Sequence, residues 1–257
     1  MQRLAVLTYG VVVYAFFFLT FLYAIGFVTG IVVPRTIDQA PLFEVSGWQV
    51  WAVNIGILCL FAIQHTIMAR QGFKRWLTRF IPQAAERSTF VLMTCLILNL
   101  LFVGWQPLTQ VIWNVENQAA AWTFTGISLL GWGLVLVSTF LINHFHLFGL
   151  QQVWFNFTGK GEAPKRFVTP FLYKLTRHPL YLGFFIAFWA APTMTVGHLL
   201  FALITTAYVV FEVVFFEEPD LVRDFQTEYP RYQRTVRMFL PLPRRSKGGA
   251  KPSAVTA

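Results

Sequence analysis

Six apolar stretches, separated by short polar segments, dominate this 257-residue chain and set the solvent in which it can fold. About 20 apolar residues are enough for a helix to cross the hydrocarbon core of a bilayer. Hydrophobic residues make up 56% of the chain and charged residues only 12%, which is typical of an integral membrane protein. The sequence therefore predicts an all-α, polytopic membrane helical bundle. We place the spans at residues 4–33, 50–69, 88–105, 122–143, 180–191 and 199–216.

The last two predicted spans differ from the other four. Pro192 and Gly197 interrupt the apolar run near its middle, and proline cannot continue a helical hydrogen-bond ladder. We therefore expect a tight helical hairpin at residues 180–216. Its first arm is short, so the sequence leaves open whether this arm crosses the whole bilayer.

Basic residues alternate between the two sides of the predicted spans. They are frequent in segments 70–87 and 160–177 and after Glu217, whereas the intervening connections contain only Arg35. Because Lys and Arg collect in cytoplasmic loops, both termini are predicted to be cytoplasmic. This topology also accounts for the net charge of +9, so we expect a lipid bilayer and not nucleic acid as the partner. The sequence does not indicate an oligomeric state.

The predicted topology brings the polar side chains that lie beside the spans to the same, cytosolic end. Ionisable groups are costly near a bilayer, so a cluster of them indicates a binding or reactive site. Carboxylates, guanidinium groups and aromatic faces together suit a zwitterionic or cationic ligand. The chain has no zinc-ligand spacing and no glycine-rich phosphate loop, so we expect no metal. We therefore predict a pocket that opens to the cytosol.

Two polar stretches bracket the predicted hairpin, RHPLYLG at residues 177–183 and EEPDL at residues 217–221. Followed by Phe225, Tyr229 and Tyr232, they resemble the C-terminal half of the isoprenylcysteine carboxyl methyltransferase-like membrane enzymes. The resemblance implies that this half binds S-adenosylmethionine. The residues that we expect to contact this cofactor are Arg177, His178, Pro179, Tyr181, Gly183, Glu217, Glu218 and Tyr229.

The N-terminal half resembles a narrower family. Residues 64–70, 86–89, 105–107 and 139–150 look like the matching segments of the methanethiol S-methyltransferases, membrane enzymes that make dimethyl sulfide. This resemblance implies a small thiol as methyl acceptor, namely methanethiol and also hydrogen sulfide. It implies an acceptor side at 1–143 and a cofactor-binding half at 144–243. We expect residues 244–257 to form a disordered tail and the enzyme to lie in a bacterial inner membrane.

Methyl transfer to sulfur requires a thiolate, because the neutral thiol is a poor nucleophile. A histidine base or a nearby cation raises the thiolate population at neutral pH. His144 and His65 are the candidate bases, and Arg70 and Arg87 are candidate cations, with Glu86 beside them.

Each of these residues also has a structural interpretation. Either histidine could be a satisfied buried or interfacial residue, and Arg70 could mark topology or contact lipid headgroups. His144 and His146 lie on different helix faces, so we expect at most one of them in the pocket. We also expect an aromatic belt at the outer interface. It comprises Trp48, Trp51, Trp105 and Trp122.

Two other functions fit the same sequence. A methyltransferase could keep the cofactor half and act on a prenylated cysteine or another lipid-like acceptor. A transporter or sensor could use the same helices without catalysis. Binding of S-adenosylmethionine separates the second alternative from both enzymes, and the identity of the methylated product separates the two enzymes.

Overall fold

The computed structural model describes residues 1–39, 41–161 and 166–241, and the predicted disordered tail at 244–257 lies outside these ranges. The described residues are mainly helical, which confirms the predicted all-α membrane bundle. The helices are α1 Gln2–Thr29, α2 Trp48–Ala69, α3 Gln71–Leu77, α4 Glu86–Gly104, α5 Gln118–Ile142, α6 His144–Leu147, α7 Leu150–Thr158, α8 Pro179–Trp189, α9 Val196–Glu212, α10 Glu218–Asp224 and α11 Glu228–Thr235.

Five helical segments of the described chain are long and apolar enough to cross a membrane. They are α1, α2, α4 with the preceding 3₁₀ turn, α5, and the continuous helix Val196–Asp224 that contains α9 and α10. Their positions agree with the first four and the sixth predicted spans. The fifth, α8, has 11 residues and is therefore about 16 Å long, roughly half of a hydrocarbon core. Helix α8 is thus too short to cross a bilayer alone.

Helix α8 packs along α5 through two glycines. A Cβ atom built on Gly131 would lie 2.6 Å from the Ala187 backbone nitrogen and 2.7 Å from the Gly183 carbonyl oxygen. A Cβ on Gly183 would lie 2.7 Å from the Gly131 carbonyl oxygen. Small residues at such a crossing let two helix backbones approach closely, as they do in membrane helix pairs. The glycine pair therefore fixes the position of the half-length helix.

One end of the bundle, here called the site end, contains the C-terminal ends of α2, α5 and α9 and the N-terminal ends of α4 and α8. At the opposite end, two short strands, β1 Val111–Asn114 and β2 Thr193–Thr195, pair antiparallel. The sequence analysis did not predict them. Three or four residues carry little periodicity, and the pairing joins segments that are far apart in the chain.

The prediction of an aromatic belt is wrong for Trp105. Trp48 and Trp122 are exposed, but Trp105 is 2% exposed in the hydrophobic core, where its indole Nε1 donates a hydrogen bond to the carbonyl of Ile37. A buried indole needs such a partner, because an unpaired N–H is costly in an apolar interior. Trp105 therefore anchors the α1–α2 connection from inside the bundle.

The α5–α8 crossing predicts opposite effects for two glycine substitutions in the same helix. Gly131→Ala should destabilise the protein by about 1–3 kcal/mol, because the added methyl group meets backbone that cannot move aside. Gly133→Ala is the control, since its Cβ would meet nothing within 4 Å and alanine favours helix. Thermal unfolding of both variants in detergent would test this. Equal unfolding temperatures would contradict the packing role.

Candidate active site

A π-helical turn, Val213–Glu217, joins α9 to α10 and positions two consecutive carboxylates at the site end. Such turns insert one extra residue into a helix and often occur at functional sites. Pro219 follows within the first turn of α10, where a missing N–H costs nothing. Glu217 and Glu218 are therefore adjacent in the chain, but their carboxylates have different surroundings.

The carboxylate of Glu218 is buried and accepts hydrogen bonds from four side chains. Arg177 donates to both of its oxygens, from Nε at 2.8 Å and from Nη2 at 3.0 Å. His178 Nε2 lies 2.8 Å from Oε1, Tyr229 donates its hydroxyl to Oε1 at 2.7 Å, and Gln233 donates to Oε2. We call these five residues the Glu218 cluster. A carboxylate offers about four lone-pair sites, so Glu218 has no capacity left for a ligand.

His178 links the two carboxylates. Its Nε2 faces Glu218, and its Nδ1 lies 3.4 Å from Oε1 of Glu217. Burial by itself would lower the pKa of His178, but hydrogen bonds to Glu217 and Glu218 and their negative charges outweigh burial and raise the pKa to about 9. His178 is therefore an imidazolium at neutral pH, with both N–H groups donating to carboxylates.

Glu217 is the more accessible carboxylate, with 36% of its side chain exposed. The hydroxyl of Tyr181, one turn into α8, donates a 2.7 Å hydrogen bond to its Oε2. The other oxygen, Oε1, is the atom that faces His178. Glu217 is thus held in place by two residues of the RHPLYLG stretch while it remains open to a ligand.

The segment that follows α11 runs beside the RHPLYLG stretch. Arg177 Nη1 donates to the carbonyl of Val236 at 2.7 Å, and the backbone N–H groups of Arg177 and His178 donate to the carbonyls of Arg237 and Met238. Burial, followed by the hydrogen bond to Glu218, raises the pKa of Tyr229, so this phenol stays protonated as a donor. The Glu218 cluster therefore ties α8, α10, α11 and residues 236–238 together.

Arg70 is ion-paired and joins α2 to the helix that contains the carboxylates. Its Nη2 lies 2.8 Å from Glu212 Oε1, its Nη1 lies 3.6 Å from Asp220, and its guanidinium carbon lies 4.3 Å from the centre of the Phe216 ring. Thr66 donates to the other oxygen of Glu212 at 2.9 Å. Arg70 thus has specific protein partners in addition to its position at a helix end.

Arg87 connects the start of α4 to the end of α6. Its Nε donates to the carbonyl of Leu147 at 2.6 Å, and its guanidinium lies over the Phe90 ring at 4.8 Å. The centre of the same Phe90 ring lies 4.8 Å from that of the His65 imidazole. The neighbouring Glu86 is 3.9 Å from Lys74 Nζ and faces that lysine at the edge of the bundle. Arg87 is therefore a cation next to the aromatic surroundings of His65.

The two candidate bases have very different surroundings. His144 is 3% exposed; its Nε2 lies 2.8 Å from the Tyr14 hydroxyl and its Nδ1 lies 2.8 Å from Thr139 Oγ1. The Thr139 hydroxyl donates to the carbonyl of Leu136, which leaves its oxygen to accept a hydrogen from Nδ1 of His144. The Tyr14 hydroxyl then donates to Nε2. Burial lowers the pKa of His144, so it is a neutral imidazole with both nitrogens occupied.

His65 has one weak hydrogen bond, 3.5 Å between Nδ1 and the Thr94 hydroxyl. Within the described ranges its Nε2 has no hydrogen-bond partner. Aromatic rings surround the imidazole, with Phe61 stacked on it at 5.3 Å and Phe90 at 4.8 Å. His146, the other histidine of the α5–α6 region, is exposed.

The structure brings most of the predicted cofactor residues into one network, which comprises Arg177, His178, Tyr181, Glu217, Glu218 and Tyr229. Pro179 is buried as the first residue of α8, and Gly183 faces α5 instead of this network. His144 lies apart, among side chains of α1 and α5. Tyr208 was not among the predicted site residues, but its hydroxyl lies 3.2 Å from Thr66 Oγ1, which donates to Glu212. The sequence contains one signal that could have identified Tyr208: it forms a polar pair with Glu212, one turn further along an apolar helix.

Comparison with known proteins gives several similar chains. Methanethiol S-methyltransferase 1 of Bradyrhizobium diazoefficiens is 52% identical over 91% of this chain and 81% of that protein. Methanethiol S-methyltransferase of Mycobacterium tuberculosis is 46% identical over 95% of this chain and 99% of that protein. Nurim of Sus scrofa is 34% identical over 62% of this chain and 63% of that protein. No family model and no solved structure matches.

The charge of His178 predicts a pH-dependent stability. Because its pKa rises from 6.5 in the unfolded chain to about 9 in the folded one, protonated His178 stabilises the fold by about 3 kcal/mol. This contribution is complete below pH 6.5 and is lost as the pH rises through 9. Thermal unfolding between pH 6 and pH 10 should show this loss in the wild type and a flatter profile in His178→Gln. Parallel profiles would contradict it.

Proposed function

The chain belongs to the methanethiol S-methyltransferase family, and we propose that it transfers a methyl group from S-adenosylmethionine to methanethiol, giving dimethyl sulfide. Methyltransferases need a methyl donor, and the two sides of the site suit a donor and a thiol. The observation that carries the proposal is the position of Arg87, whose guanidinium lies over the Phe90 ring that also packs against His65.

On the donor side, Glu217 is the residue that we assign to the cofactor. Its exposed carboxylate suits the ammonium or the ribose hydroxyls of S-adenosylmethionine, and the face of Tyr181 suits a cation such as a sulfonium. Arg177 and Glu218 are already bound to one another, and Arg177 also donates to the carbonyl of Val236, so we assign both residues to positioning. When bound, S-adenosylmethionine supplies a methyl group that is activated by its positive sulfur.

On the acceptor side, the chain must deprotonate a thiol and stabilise the resulting anion. We assign the first task to Nε2 of His65, because this atom has no partner in the described part of the chain. We assign the second task to Arg87, which the Leu147 carbonyl holds in place. His144 does not fit the role of base, because its lone pair already accepts from Tyr14. Holding the thiolate in line with the donor is the remaining contribution of the site.

We further propose that the site faces the cytosol from a bacterial inner membrane, with both termini cytoplasmic. The alternation of basic residues supports this orientation. The proposed halves, 1–143 for the acceptor and 144–243 for the cofactor, need one amendment. Glu212 and Tyr208 belong to the second half but contact Thr66 of the first.

The proposal predicts a volatile product. Membranes that contain the protein, incubated with S-adenosylmethionine and methanethiol, should release dimethyl sulfide, which gas chromatography measures. Glu217→Gln should raise the KM for S-adenosylmethionine about 10-fold or more, because a charge-assisted hydrogen bond is worth about 1.5–3 kcal/mol. Membranes without the protein are the control. The proposal fails if no dimethyl sulfide forms, and methylation of a prenylated cysteine instead would favour a lipid-like acceptor.

The same assay should distinguish the roles of His65 and His144. His65→Gln should lower kcat about 100-fold or more, as loss of a general base does. His144→Gln keeps a side chain that can bond to Tyr14, so it should lower kcat less than 10-fold and act mainly on stability. A larger loss of kcat in folded His144→Gln than in His65→Gln would reverse the assignment.

A further inference from the structure

The imidazole of His65 lies among three aromatic side chains from three different helices. Phe61 of α2 stacks on it, Phe90 of α4 lies tilted at 4.8 Å, and the Tyr208 ring of α9 stands nearly perpendicular at 6.5 Å. We call Phe61, Phe90 and Tyr208 the aromatic wall. None of these rings has a role in the chemistry proposed above, yet all three pack against the imidazole assigned to proton transfer.

The aromatic wall is fixed at its polar edge. The hydroxyl of Tyr208 lies 3.2 Å from Thr66 Oγ1, and Thr66 in turn donates to Glu212. Glu212 is ion-paired to Arg70 at 2.8 Å. On the other side, Phe90 is 5% exposed and carries the Arg87 guanidinium over its face. Contacts on both sides therefore restrict how far the rings can move to admit a larger molecule.

We infer that Phe61, Phe90 and Tyr208 are specificity-determining residues, because the aromatic wall that they form limits how long the alkyl group of the acceptor thiol can be. This inference rests on the proposed function. The centres of the three rings lie 4.8–6.5 Å from the imidazole centre, so an acceptor sulfur bound at Nε2 would have its substituent close to these rings. A methyl group fits against such a surface, but a longer alkyl chain must displace a ring.

The same wall discriminates by polarity. Polarizable sulfur and a methyl group make favourable contacts with aromatic rings. Thiols such as cysteine or glutathione would bring charged amino and carboxylate groups into these apolar surroundings, where burial without partners is costly. The preferred class is therefore small and uncharged outside the sulfur itself.

Removing one ring of the aromatic wall should allow the enzyme to accept longer thiols. One methylene in an apolar pocket is worth about 10–200-fold in kcat/KM. We therefore expect Phe90→Ala and Phe61→Ala to raise the ratio of kcat/KM for 1-propanethiol to that for methanethiol at least 10-fold. Calorimetric binding of S-adenosylmethionine should change less than 3-fold. Phe90→Leu and Phe61→Leu provide smaller truncations if the alanine variants do not fold.

Phe102→Ala is the matched control. Phe102 lies on the same helix as Phe90 and is also 5% exposed, but it packs against Phe27 and Tyr23 away from His65. The inference holds if only the wall variants accept propanethiol. It is overturned if the wall variants keep the wild-type ratio, or if Phe102→Ala raises the ratio equally through general loosening. If the wild type methylates no thiol at all, the proposed function fails instead.

Discussion

The buried carboxylate of Glu218 is the group on which the rest of the site depends. A buried ion pair pays a large desolvation cost, and removing one partner leaves an uncompensated charge. Here Arg177 and His178 supply the compensating charges, and Tyr229 and Gln233 fill the remaining acceptor positions. Because these donors come from the start of α8 and from α11, the carboxylate holds these two segments and its own helix α10 in one arrangement.

This arrangement gives different roles to two adjacent glutamates, Glu217 and Glu218. Glu218 is saturated by the protein and acts on the fold, whereas Glu217 is held by Tyr181 and His178 and keeps an exposed face. Glu217 ends the π-helical turn and Glu218 begins α10, so the two side chains have different directions. Arg177 likewise uses its donors within the protein, whereas Arg87 lies over the Phe90 ring beside His65.

Several features followed directly from the sequence. Hydropathy located the spans to within a few residues, because crossing a bilayer requires a continuous apolar segment whatever its neighbours are. The polar stretches at 177–183 and 217–221 were expected to lie together, since a hairpin returns its two ends to one side. Trp105 was misplaced because its position near a span end is also typical of interfacial tryptophans; only the Ile37 carbonyl, distant in sequence, makes a buried indole acceptable.

The sequence by itself determined a helical membrane protein, the end of the bundle where its ionisable groups gather, and the residue types that a charged ligand would meet. Only the tertiary structure decided which of those residues are already hydrogen-bonded or ion-paired to one another. From the sequence alone, His144 and His65 were equally good candidates for the catalytic base. A hydrogen bond from Tyr14 occupies Nε2 of His144, whereas Nε2 of His65 has no such partner in the described part. Such partners come from distant segments, so local sequence cannot specify them.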